Sequence, residues 1–364
     1  MSALTAVANI LEVTSYPPPR AGWGIRVEFL KKALEVRGHR CVVLNIGTSR
    51  LVPSDEYETV LGGADFVRKV WRYSRQGFVV HAHANGDALK GLALALIAEL
   101  INLTCGRRCH LTFHAGVIQR YFPRERAWWL APMFWLLFAI PRRIICNSEA
   151  VKERIQGYGV PARKIVPIAA FSRQYLEYTP ARLPDALSHF YDRWPQVVFT
   201  YVRMRPLFFP LTLVDGFAAL AQRRPDVGLV LCGISGHMEE GLWHDVQQRL
   251  HDHGLADRVC IVDDLEHDAF LTALVRSAVY LRTPITDGVA SSVLEALALG
   301  IPVVACDNGT RPPAVITYPA TDHEQMAARL DYAITNRAAI VQSLVRGDVP
   351  DTLGDEIALL TAAR

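Results

Sequence analysis

Short apolar runs closed by glycine, proline or polar turns alternate along the chain with stretches in which apolar residues recur every third or fourth position. Runs at 7–13, 41–44, 77–84, 109–114 and 143–147 predict strands buried on both faces. Between the first two, Val27, Leu30, Ala33 and Leu34 share one helical face within 26–37, and Gly38 ends that helix. Further helices are expected at 89–103 and 150–157. Strand, helix, strand in this order is a βαβ unit and implies a parallel sheet. A polar, proline-punctuated stretch at 172–195 interrupts the pattern, which then begins again. Strands at 197–201, 228–232, 259–262, 278–281, 303–306 and 313–318 alternate with helices at 214–222, 243–253, 268–277, 291–299 and 322–335, and helices at 340–346 and 351–363 follow. The expectation is an α/β chain with two Rossmann-like domains, at 1–168 and 197–340, joined by a linker at 169–196 and followed by C-terminal helices at 341–364.

Composition narrows the class. A chain of 364 residues, 51% hydrophobic and 21% charged, is a folded protein large enough for two cores. A net charge of +3 is too small to argue for nucleic acid. The seven cysteines form no disulfide framework, which suggests reduced thiols in the cytoplasm. Cys105 and Cys109 lack a second pair to complete a zinc set, and no metal is expected. No secretory leader is expected from the first residues, and no apolar run reaches the length of a bilayer span. One run stands apart. From Ala127 to Ile140 the chain carries no charge, three tryptophans and arginines on both flanks (Arg120, Arg124, Arg126, Arg142, Arg143). It is either an interfacial helix that touches the membrane or a core helix buried all round, with equal weight.

The chemistry concentrates between Thr283 and Arg311, in a loop, a helix, a strand and a second loop. Asp287 and Gly288 precede the helix, Glu295 lies within it and Gly300 stops it. Free N–H groups at the helix start suit a phosphate and the two acids suit hydroxyls, although an ordinary buried βα unit would look the same. Gly22 and Gly24, expected in the loop ahead of the first helix, and Gly233, in a turn at a strand end, permit close approach of backbone to an anion. His114 ends a strand, where ligands of parallel sheets sit. His81 and His83 lie mid-sheet and read as core histidines.

Asp287, seven residues, Glu295, then Ala296-Leu297-Ala298-Leu299-Gly300-Ile301-Pro302-Val303-Val304-Ala305 resembles the signature of retaining glycosyltransferases of the GT-B fold, the large family that uses nucleotide sugars. Gly159 to Ile168 is similar to the segment that ends the first domain in that family, and the likeness runs from about residue 7 to residue 335. It implies two Rossmann-like domains facing an interdomain cleft, with the C-terminal helices packing back on the first. By the same likeness the donor is a UDP- or GDP-linked sugar, used without cofactor or metal. The acceptor is a saccharide or a lipid-linked molecule, in cell-surface polysaccharide or glycolipid synthesis at the inner face of the membrane. His114 would sit by the donor sugar, Arg203 by the leaving diphosphate, Asp287 by the sugar and Glu295 by the ribose. Gly22, Gly24, Arg205, Gly233, Gly288, Val289, Ala290 and Ser291 would line the donor, with Trp23 and Glu149 on the acceptor side. Two departures stand out: Asp287 replaces the family's glutamate, and its diphosphate-binding lysine falls near Phe208, where no lysine stands. A non-catalytic GT-B protein, acting as a membrane or complex partner, is the alternative.

Overall fold

The apolar runs of the first half lie side by side as β1 (Asn9–Thr14), β2 (Arg40–Asn45), β3 (Val79–Ala84), β4 (His110–Phe113), β5 (Arg143–Cys146) and β6 (Ile165–Pro167). They form one parallel sheet in the order β2-β1-β3-β4-β5-β6. The helices between them are α1 (Gly22–Val36), α2 (Gly63–Arg75), α3 (Leu89–Thr104), α4 (Ala131–Ala139) and α5 (Glu149–Gln156). The computed structural model describes residues 7–17, 22–116, 119–234, 238–285, 290–344 and 349–362. It divides the chain into unit 1, Met1–Gln174 with Pro350–Arg364, and unit 2, Tyr175–Val349.

Unit 2 repeats the design. After α6 (Asp185–Arg193) come β7 (Gln196–Tyr201), α7 (Pro210–Arg223), β8 (Val227–Cys232), α8 (Glu240–Asp252), β9 (Val259–Val262), α9 (His267–Val275), β10 (Val279–Arg282), α10 (Ser291–Ala298), β11 (Val303–Cys306), β12 (Ile316–Tyr318), α11 (His323–Thr335) and α12 (Arg337–Ser343). The sheet runs β12-β11-β10-β7-β8-β9, all parallel. The last helix, α13 (Thr352–Thr361), returns to unit 1. There Leu353, Ile357 and Leu360 pack with Ile10, Leu30 and Leu34. Each fully buried aliphatic side chain of this kind contributes about 1.5–3 kcal/mol.

Both sheets reverse direction of winding beside their first strand, between β1 and β3 and between β7 and β10. The strand ends at such a reversal leave a crevice where ligands bind. The residues that follow β1, β3, β7 and β10 stand at these reversals.

Three elements differ from expectation. Helix α1 starts at Gly22, not Arg26, so Gly22 and Gly24 form its first turn instead of a preceding loop. A Cβ on Gly24 would lie 3.4 Å from Pro17 Cδ and from the Ser15 carbonyl, so the helix start is packed close to the end of β1. Helix α2 was not anticipated; Phe66, Val70 and Tyr73 form its buried stripe, and five Lys, Arg and Asp side chains fall on the rest of the helix with the exposed Val67 and Trp71. The run 127–140 is a single short turn, Trp128–Leu130, followed by α4, and is neither buried all round nor free. Phe134, Leu137 and Phe138 enter the core beside Phe113 and Tyr158, while Trp128, Trp129 and Trp135 are 76%, 56% and 50% exposed. Among the described residues no helix is long and apolar enough to cross a membrane.

Candidate active site

In unit 2 the strand ends at the β7–β10 reversal carry an arginine pair. Arg203 follows β7. Its guanidinium donates to the Gly233 carbonyl (Nη1, 2.8 Å), to Asp264 (Nη2 to Oδ2, 3.1 Å) and to the Tyr201 hydroxyl. Tyr201 in turn donates to Asp264 Oδ1 at 3.1 Å, so the acid and the phenol hold the fork in place. Gly233 is needed there: its φ is +88°, and a Cβ would meet the Tyr201 ring at 2.6 Å.

Arg282 ends β10 and is buried, at 7% exposure. Its Nη1 donates to the Tyr201 carbonyl at 3.0 Å, and its guanidinium carbon lies 5.9 Å from the Tyr201 ring centre and 5.6 Å from that of Phe208. A cation therefore stands beside the position where the expected lysine is missing. Arg205 is exposed, and its side chain has no hydrogen bond or ion pair among the described residues. Phe209, next to Phe208, adopts a left-handed φ of 49° as α7 begins.

Glu295 lies on α10 and is 5% exposed. Its carboxyl group makes no hydrogen bond among the described residues, and burial alone pushes its pKa from 4.5 to about 8. Its place on the helix that follows β10, at the end of the sheet where ligands of parallel sheets sit, makes this partnerless acid a candidate ligand-binding group. Ala290 caps the same helix, and its carbonyl accepts from Val293 N–H at 3.0 Å; Ser291 is the first residue of the helix. The neighbouring Ser292 accepts from the Tyr280 hydroxyl at 2.8 Å. Arg311 bridges the ends of the two flanking loops, donating to the Pro284 carbonyl (2.7 Å) and the Cys306 carbonyl (3.0 Å). Asp287, Gly288 and Val289 lie outside the described residues.

In unit 1 His114 follows β4, with its N–H on the Ala84 carbonyl at 2.8 Å. Its ring meets Trp23 of α1 at a centroid distance of 4.7 Å. Behind it runs a buried polar chain. His114 Nε2 lies 2.8 Å from His83 Nδ1, and His83 Nε2 lies 2.7 Å from Glu12 Oε2. Glu12 Oε1 lies 2.9 Å from His81 Nδ1, and His81 Nε2 lies 2.7 Å from the Thr112 hydroxyl. Burial would raise the Glu12 pKa, but His81 and His83 together hold it at about 2. Burial likewise opposes charge on His81, yet Glu12 outweighs it and raises the His81 pKa. His83 is lowered by burial and then by the charge of His81. Glu12, His81 and His83 offer three ligand atoms within 4.8 Å of one another, the one metal-type set among the described residues. The spacings of 2.9 and 2.7 Å are those of hydrogen bonds, and one proton in each contact satisfies the set without an ion.

Glu149, the first residue of α5, is exposed and pairs with Lys152 at 3.0 Å. Gly22, Trp23 and Gly24 lie together in the first turn of α1, on the same edge of sheet 1 as His114. The site residues absent from the sequence reading are Glu12, Tyr201, Asp264 and Arg282. Two of them carried a visible signal, since Glu12 and Arg282 are charges inside otherwise apolar strands.

Residues 195–343 match the family model described as glycosyl transferases group 1, and residues 21–169 match glycosyltransferase family 4. The chain belongs to the GT-B glycosyltransferases of group 1. Solved structures share the whole fold of this glycosyltransferase. Anabaena HepE in complex with UDP-glucose aligns over 96% of this chain and 98% of its own, with a TM-score of 0.69 and 18% identity. A glycosyltransferase from Rickettsia africae gives 0.68 at 14% identity, over 98% of this chain and 100% of its own. Trehalose-6-phosphate synthase OtsA gives 0.66 at 13% identity, over 98% and 100%. No curated protein matches by sequence.

Proposed function

We propose that this glycosyltransferase moves a sugar from a UDP- or GDP-linked donor to a saccharide or lipid-linked acceptor, with retention and without metal, in cell-surface polysaccharide or glycolipid synthesis. The observation that carries the donor half is Glu295, a buried carboxyl group with no partner on the helix whose N-terminus opens the β10–β11 connection. Ribose hydroxyls would supply the hydrogen bonds it lacks. Arg203 and Arg282 would together stabilise the charge that develops on the leaving diphosphate, Arg282 taking the part of the missing lysine. The bond from the anomeric carbon to phosphate oxygen breaks and the bond to the acceptor oxygen forms on the same face; the acceptor proton passes to the leaving phosphate. His114 would accept a hydrogen bond from the donor sugar. Among the relatives of this fold, HepE was solved with UDP-glucose and with UDP and glucose, which supports a nucleotide-sugar donor.

Calorimetric titration of UDP, GDP, ADP and their sugar conjugates, without added metal, tests this. One nucleotide should bind, and Glu295→Ala should weaken it. No binding by any of them at millimolar concentration would overturn the donor assignment in favour of a non-catalytic protein.

The exposed tryptophans add a membrane contact at the inner face. Trp128, Trp129 and Trp135 are exposed, as are Arg120, Arg124 and Arg126 just before them in sequence, a combination that suits an anionic lipid surface. Changing all three tryptophans to serine should abolish sedimentation with anionic liposomes while leaving the melting temperature within a few degrees. Unchanged sedimentation would remove the membrane contact.

A further inference from the structure

The buried chain behind His114 determines where each proton sits. Both oxygens of the Glu12 carboxylate face an imidazole nitrogen, Oε1 at His81 Nδ1 (2.9 Å) and Oε2 at His83 Nε2 (2.7 Å). An ionised carboxylate only accepts, so both nitrogens carry protons. His83 is neutral, because burial and the neighbouring charge on His81 lower its pKa. With its proton on Nε2, its Nδ1 is a lone pair. That lone pair lies 2.8 Å from His114 Nε2, and the two ring planes are within 16°, so the contact is a straight N–H···N bond donated by His114. Burial holds the His114 pKa well below that of free histidine, so His114 carries one proton, and that proton is committed inward. Its Nδ1 is then a bare acceptor. This atom makes no hydrogen bond among the described residues and is not one of the buried unpartnered atoms.

We propose that Glu12 acts through His83 as a positioning relay that fixes His114 as its Nε2–H tautomer, presenting Nδ1 as an acceptor to a donor-sugar hydroxyl. The role of the sugar rests on the transferase reading above; the tautomer does not. The rest of the surroundings support it. Burial opposes charge on His81, but Glu12 and then Glu356 favour it, and its Nε2 lies 2.7 Å from the Thr112 hydroxyl and 3.9 Å from Glu356 Oε1. Glu356, on α13, is itself held by Arg26 of α1 at 2.6 Å. With His81 charged, Glu12, His81, Glu356 and Arg26 sum to no net charge, and the relay to His114 is left neutral. His110, which pairs in register with His81, is driven to a pKa of about 3 by burial first and His81 second, and adds no charge.

The test is a long-range proton–nitrogen correlation spectrum of full-length protein labelled with heavy nitrogen in histidine, with His114 assigned by comparison with His114→Asn. His114 should show a protonated Nε2 and an unprotonated Nδ1, and a coupling across the hydrogen bond should join its Nε2 to His83 Nδ1. A proton on His83 Nδ1, or a His114 that exchanges between tautomers like a solvated imidazole, overturns the proposal. Glu12→Gln supplies one acceptor and one donor where there were two acceptors. With two protons on His81 the amide carbonyl stays with His81 Nδ1, its NH2 turns to His83, and the protons on His83 and His114 both move to Nδ1. With one proton on His81, held on Nε2 by Glu356, the NH2 turns to His81 Nδ1, the carbonyl faces His83, and His114 keeps its tautomer. The same spectrum counts the protons on His81. Where His114 reverses, kcat/KM should fall about tenfold for the natural donor but not for the deoxy-sugar donor that lacks the bonded hydroxyl. A folded Glu12→Gln protein in which the tautomer of His114 does not follow the number of protons on His81 overturns the relay. A reversed tautomer with equal kcat/KM losses for both donors, or none, upholds the relay and overturns the sugar contact. The wild-type spectrum decides the tautomer even where Glu12→Gln does not fold.

Discussion

Glu295 ties stability to pH in a way that one substitution removes. Its pKa is near 4.5 in an unfolded chain and about 8 in the folded protein, raised by burial. Below about pH 4.5 both states hold the proton and the group is neutral to stability. As pH rises toward 8, the unfolded chain loses its proton while the folded protein keeps it, so the folded state weakens across that window and no further above it. At about 1.4 kcal/mol per pKa unit, the shift amounts to about 5 kcal/mol, and solvent reaching the exposed edge of the carboxylate reduces it to about 2–3 kcal/mol. For a domain the size of unit 2 this is about 5–10 °C. Glu295→Gln keeps the shape and has no proton to lose. Scanning calorimetry of both proteins from about pH 5 to about pH 9 should show the wild-type unit 2 transition falling by that amount more than the variant's. Parallel curves would refute the placement of Glu295 in a largely buried, partnerless site. The same proton should be released when a nucleotide ribose binds near neutral pH. Calorimetry in buffers of different ionisation enthalpy measures that release.

Arg203→Ala should lower kcat about a hundredfold or more while Arg203→Lys retains part of it, read from initial rates at saturating donor. Arg282→Ala should lower kcat to a similar degree; full activity in that variant would show that nothing stands in for the lysine. Glu99 of α3 is fully buried, neither carboxyl oxygen has a hydrogen-bond partner, and burial raises its pKa well above normal. Glu99→Leu should therefore stabilise unit 1 by about 1–3 kcal/mol near neutral pH, seen as a higher melting temperature.

The strands were legible because parallel strands buried on both faces leave continuous apolar runs, and ten residues of signature around Glu295 and Gly300 announced the donor side. The start of α1 was not, since glycines at 22 and 24 are poor helix formers, and the place of Gly24 is set by packing against Pro17 and Ser15. The faces of α4 could not be separated by hydropathy, because the core side (Phe134, Leu137, Phe138) and the exposed side (Trp135, Leu136) are both apolar. His81 and His83 read as core histidines, and they are fully enclosed. What no periodicity could show is that Glu12, two strands' worth of sequence away, completes them. Arg282 was visible as a charge in an apolar strand, but its role was not, for a related reason: its partner surface is Tyr201 and Phe208, which only the β7–β10 pairing brings to it.

The return of α13 to unit 1 has a consequence for how the protein is made. Thr352 and Glu356 are the groups that Arg26 grips, and Glu356 is the anion nearest His81 apart from Glu12. On the ribosome, residues 352 and 356 emerge only after the whole of unit 2. Until then the salt bridge from Arg26 to Glu356 is unmade, the cluster around Ile10 and Leu34 is open on one side, and the charge balance behind His114 is unfinished. Synthesis therefore carries its own checkpoint: the half of the enzyme that is made first is completed by a helix made after the other half.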